Sequence, residues 1–211
     1  MSFFEPPAPP PEPQRHRQPE WLGPPENVMP APFPLAPELA RTGNVAIAAH
    51  GGLAYPNGFA FRVALLRRAE LERATGDPFH RWHRQRGELT EDVLRFGLQF
   101  ADGAKATVFD VHRSFGEAGR PSGPVLMQRG GGGGRAWEFG FWVWPLPPDG
   151  PLAFVVEWPS EGIELTRTEI DASVVRTAAE QAETLWRDDD GPSSAGGGVS
   201  SRQVRATRRR E

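Results

Sequence analysis

Cysteine is absent from the 211 residues. That excludes disulfides, cysteine-ligated zinc, thiolate catalysis and iron–sulfur ligation. Lysine is nearly absent as well, since Lys105 is the only one. No stretch approaches 18 consecutive apolar residues, so no membrane-spanning helix is expected. The opening Met1-Ser2-Phe3-Phe4-Glu5 has neither the charged start nor the apolar run of a secretory signal. A cytoplasmic location follows as the expectation. Hydrophobic residues make up 38% with glycine left out, below the about 45–50% of typical globular chains, a baseline that also counts glycine. The net charge of −3 argues against a surface given over to gripping nucleic acid.

Proline and glycine are what the chain has in excess. Residues 1–37 hold 13 of the 23 prolines, including Pro9-Pro10-Pro11 and Pro24-Pro25. Each ring fixes its own φ and pushes the preceding residue out of the helical region, so 1–37 reads as an extended, solvated, disordered tail. At the other end, 187–211 begins with linker composition and finishes with Arg202, Arg205, Arg208, Arg209 and Arg210. This predicts a disordered linker with an arginine-rich tip. Residues 38–186 remain as one domain, long enough for a single hydrophobic core.

Within that domain the dominant period is two. Val45, Ile47 and Ala49 alternate, as do Phe59, Phe61, Val63 and Leu65 after the turn signal Pro56-Asn57-Gly58. Leu94, Phe96, Leu98 and Phe100 alternate again, and Asp102-Gly103 turns the chain into a second strand over 104–111. Residues 123–128, 136–146 and 152–158 complete the set. Residues 69–92 read as a charged excursion. From Asp171 the spacing changes to that of a helical stripe through Val174, Val175, Ala178, Ala182, Leu185 and Trp186, predicting a helix over about 170–186. The fold class is mainly β: an antiparallel β-sandwich or partly open barrel of about seven or eight strands, with the C-terminal α-helix packed on it.

Four segments carry a resemblance. They are Leu94–Gly103, Gly123-Pro124-Val125-Leu126-Met127, Trp142-Val143-Trp144-Pro145-Leu146-Pro147-Pro148 and Glu157-Trp158-Pro159. Together the stretch 44–186 resembles a family of uncharacterised actinobacterial proteins. The resemblance implies a single-domain cytoplasmic bacterial protein and carries no activity, substrate or catalytic residue.

Chemistry-bearing patterns are thin. His80 and His83 stand at i, i+3, but no carboxylate completes a ligand pattern and Arg81 and Arg84 would repel a cation. The run Gly130–Gly134 leads into a strand through Arg135-Ala136-Trp137, whereas a phosphate loop leads into a helix. Ser114, Ser122, Ser160 and Ser173 sit in no nucleophile elbow. Glu91-Asp92 and Glu157, Glu161, Glu164 form no recognisable acid pair. No catalytic residue, cofactor or metal is therefore expected.

The aromatic run Trp137, Phe139, Phe141, Trp142, Trp144 is the strongest feature. Its rings fall on both faces of a strand, so they are core packing or else one face is a contact surface. The candidate partner contacts are Trp137, Trp142 and Trp144, with Arg129 and Arg135 beside them. The leading expectation is a non-enzymatic protein-binding or structural module with an unknown protein partner. One alternative is a small-molecule binder or unrecognised enzyme, with a pocket by the 69–92 loop lined by His80, His83, Arg84 and Glu88. The other is a weak nucleic-acid accessory acting through the arginine-rich tip, disfavoured because arginine is abundant throughout the chain.

Overall fold

Strands form where apolar and polar residues alternate, because successive side chains point to opposite faces of a sheet. The computed structural model describes residues 18–68, 79, 89–110, 120–130 and 136–186. In chain order these give β1 (Val28–Met29), β2 (Ala31–Phe33), β3 (Glu38–Arg41), β4 (Val45–Tyr55), β5 (Gly58–Arg67), β6 (Arg95–Gln99) and β7 (Lys105–Thr107). Next come β8 (Val125–Arg129), β9 (Ala136–Trp144), β10 (Pro151–Trp158) and, after a short 3-10 turn, β11 (Ile163–Asp171). Helix α1 (Ser173–Glu180) and β12 (Glu183–Thr184) follow.

The larger sheet has the order β2-β4-β5-β9-β8, with β3 also paired to β4. The smaller has the order β11-β10-β6-β7, and β1 pairs with β12. All pairings are antiparallel, and the sheets are not closed into a barrel. The expected mainly β class with a helix near the C-terminal end is the observed one. Phe61 shows how the two sheets meet. On its own sheet it stacks on Phe59 and Phe141, at 5.9 and 5.4 Å between ring centroids. Across the interior it meets Phe154 edge-on at 5.4 Å and Phe96 at 6.2 Å. Phe79, the one described residue of the 69–88 stretch, drives its ring into the same core, 4.6 Å from Phe139. No polar or charged residue is fully buried among those described.

Four boundaries differ from expectation, each for a local reason. The tail predicted over 1–37 contains structure from Gln18 onward. Ala31, Phe33 and Leu35 are buried while Pro32 and Pro34 face out. Proline lacks a donor, but an edge strand needs donors on one side only, so a Pro-alternating segment can pair with β4 as β2. The strand expected over 104–111 stops at Thr107. There the Asp110 carboxylate accepts from both the Thr107 amide (2.9 Å) and its hydroxyl (2.7 Å), turning the chain.

The helix expected over 170–186 is only Ser173–Glu180. The Ser173 amide donates to Asp171 at 2.9 Å, a bond that also holds the Asp171 carboxyl below its ordinary range. Beyond the helix, Glu183 and Thr184 pair with Met29 and Val28, and Trp186 is exposed. A ladder to an N-terminal segment had no local signature. Finally, Ile163–Asp171 is a full strand that the alternation rule passed over, because its outward residues (Leu165, Arg167, Glu169, Asp171) mix apolar with charged.

Gly51 and Gly52 sit where the β4–β5 register slips between His50 and Leu53. Gly51 has φ of 65°, and a Cβ on Gly52 would lie 2.5 Å from the Phe33 ring. The first supplies the left-handed bend and the second the room that lets β2 close on β4.

Candidate functional site

Each sheet turns one face inward and one outward, so a contact surface has to be sought on the two outer faces. On β9 the alternation directs Trp137, Phe139, Phe141 and Val143 to the core, and Trp142 and Trp144 to the outer face of the larger sheet. Trp142 and Trp144 are nevertheless 0% and 6% exposed. The chain's own residues 19–22 account for much of this, together with Tyr55, Ala60, Val125 and Met127. The Trp142 Nε1–H donates to the Glu20 carbonyl at 3.1 Å, and Trp21 meets Trp144 edge-on at 6.1 Å. Tyr55 lies edge-on to Trp142 at 5.5 Å, and the Arg120 guanidinium sits 5.0 Å from the Trp144 ring centre. Arg129 donates to the Leu22 carbonyl.

The candidate contacts Trp142, Trp144 and Arg129 are thus brought together, with an internal strap covering the two indoles while Arg129, bonded to the strap, stays exposed. Trp137 is half-buried, stacked on Phe139 at 5.7 Å. Arg135 lies outside the described residues, as do His80, His83, Arg84, Glu88 and the arginines at 202–210. The strap was missed because a solvated tail and a strap share the same proline-rich composition. The signal separating them is Trp21-Leu22 amid the prolines.

Burial pushes the Tyr55 phenol above its ordinary value, with nearby Arg129 opposing in part. Its ordinary value is about 10. Above that pH the unfolded chain gives up a proton that the folded chain retains. Stability is therefore undiminished below about pH 10 and falls as pH climbs towards the raised folded value. Tyr55 is the only tyrosine, so phenolate absorbance follows it alone. Its titration should be displaced to higher pH in the folded protein relative to the guanidinium-unfolded chain. Superimposable curves would contradict the cover over this face.

The outer face of the smaller sheet differs. A shallow trough of about 260 Å³ runs across β11, β10, β6 and β7. Gly97, Val155 and Leu165 form its apolar floor, and Leu165 is 67% exposed. Gly97 is forced by crowding, since a Cβ there would stand 2.9 Å from the Ala106 carbonyl oxygen and 3.2 Å from Thr107 Cγ2. Around the rim, Arg95 bonds Glu157 at 2.6 Å and the Leu89 carbonyl at 3.0 Å, and Arg167 bonds Glu169 at 2.8 Å. Lys105 also lines the trough and is exposed.

Among the described residues no three His, Asp or Glu side chains come together as metal ligands. No helix there is long and apolar enough to cross a membrane. A depression of about 290 Å³ between β2 and α1, lined by Pro32, Phe33, Pro34, Ser173, Val174 and Thr177 among others, contains no ionisable group. Sequence reading overlooked the trough because its residues are the minor phase of alternating strands. Gly97 in mid-strand is its one visible sign. No family model, no curated protein and no solved structure matches the chain.

Proposed function

We propose that the protein is a cytoplasmic, non-enzymatic module that binds another protein through the outer face of the β11-β10-β6-β7 sheet. The observation that carries this reading is the contrast between the two outer faces. Apolar rings on the larger sheet are roofed by residues 19–22, whereas on the smaller sheet Leu165 stands exposed beside the half-buried Val155 along an open trough. An uncovered apolar floor with a charged rim matches the general anatomy of a protein contact surface. The charged rim, with Arg95 and Arg167 already ion-paired, adds selectivity more than affinity.

A photo-crosslinking side chain placed at Leu165 tests the reading in the native cell. It should trap a discrete partner, and Leu165→Glu should weaken capture of that partner about tenfold, the loss of roughly one well-packed apolar contact. The melting temperature should stay put, because Leu165 is exposed. Leu66→Glu, at a leucine on the other sheet that is also more than half exposed, is the control. Capture lost with Leu66→Glu and untouched by Leu165→Glu would overturn the assignment.

A further inference from the structure

We propose that two copies of the chain join through β11, edge to edge and antiparallel, with the twofold axis passing at Thr168. The inference does not depend on whether the trough takes a separate partner.

β11 has nine residues and, among the described residues, pairs only with β10. Its other side is therefore a row of backbone donors and acceptors, the kind of edge to which a further strand adds. Which residues form that row follows from the ladder. The Ala172 amide donates to the Gly150 carbonyl at 2.9 Å, just beyond the paired Pro151 and Asp171. Bonded and non-bonded pairs alternate along an antiparallel ladder. Thr166, Thr168 and Ile170 thus direct their backbone groups to β10, while Leu165, Arg167, Glu169 and Asp171 direct theirs outward.

The far side of the sheet gives the same phase. Phe100 donates to Ala104, and Val108 to Phe96, so even-numbered residues of β6 face β7. Gly97 and Gln99 then face Val155 and Ala153 on β10. That leaves Phe154 and Val156 to bond Thr168 and Thr166.

A second β11 must set outward residue against outward residue. Centring on Arg167 would oppose two arginines, and centring on Glu169 two glutamates. Centring on Thr168 places each Arg167 opposite the partner's Glu169 and brings the two threonines together on the inner side. Arg167 and Glu169 already bond each other at 2.8 Å within one chain, and both side chains are exposed. The second copy would turn this pair into a four-membered charge cluster. The result is one continuous eight-stranded sheet, with the two troughs on the same side.

The test is sedimentation velocity on the full chain over a wide concentration range. The wild type should dimerise reversibly. Arg167→Glu and Glu169→Arg should each weaken the dimer at least about tenfold, because each sets like charges opposite in two places. An equimolar mixture of the two variants should recover association, since the acidic edge of one meets the basic edge of the other. A contact confined to one chain cannot produce that recovery. In hydrogen exchange, the Arg167 and Glu169 amides should become protected as concentration rises, while those of Thr166 and Thr168 are protected throughout. A chain that stays monomeric, a dimer indifferent to both substitutions, or a mixture no tighter than its components would each overturn the proposal.

Discussion

Trp142→Ala should lower the unfolding free energy by about 3–5 kcal/mol, the range for deleting a buried large aromatic. For a chain of this size that is a fall of roughly 6–20 °C in melting temperature. Three things are lost together. The indole is fully buried, its N–H donates to the Glu20 carbonyl, and its ring receives the edge of Tyr55. Removing it leaves a cavity under the strap and a carbonyl without its donor. Trp142→Phe separates these contributions, because it keeps a ring but deletes the donor, and should cost about 1–2 kcal/mol. Were Trp142 a partner contact, alanine would instead weaken capture of a partner and leave the denaturation midpoint in place. Chemical denaturation of the two variants discriminates between these outcomes.

Phe61→Ala should be at least as damaging, again about 3–5 kcal/mol, for a different reason. Phe61 is a ring at which the sheets touch, with two neighbours on its own sheet and two on the other. Each aromatic pair adds about 0.5–1.5 kcal/mol beyond area burial, so the loss is shared across both layers. Total stabilities of single domains run about 5–15 kcal/mol, which makes this one side chain a large fraction of the whole. Phe61→Leu, which restores most of the volume, should recover more than half of the deficit. A Phe61→Ala protein that melts within a few degrees of wild type would mean that the sheets are not stacked as described.

How much of this was legible in the sequence depends on whether a residue's structural partner was near it in the chain. The β4–β5 hairpin was readable because the Pro56-Asn57 turn and the alternation on either side are local. So was the β6–β7 turn, where Asp102 accepts from the Ala104 amide at 2.9 Å. Ladders joining distant segments were not readable. Ala31 opposite Ala54 and Val28 opposite Thr184 depend on a chain path that neither segment encodes alone.

The candidate site followed the same logic. Period two correctly split the β9 aromatics between faces, with Phe139 and Phe141 on one side and Trp142 and Trp144 on the other. It could not say that Trp21 would lie over the second set. The trough escaped because exposed positions carry little pattern, and Leu165 between Glu164 and Thr166 resembles any surface leucine.

The β1–β12 ladder has a consequence for how the molecule is made. Val28 pairs with Thr184, the Asn27 side chain donates to the Trp186 carbonyl at 3.0 Å, and the Asn27 carbonyl accepts from the Leu185 amide. Strand β1 therefore waits for β12, more than 150 residues later in the chain. No amount of earlier hairpin formation can supply its mate, so this stitch is sewn after synthesis has passed residue 186, and the nascent chain travels with that seam open.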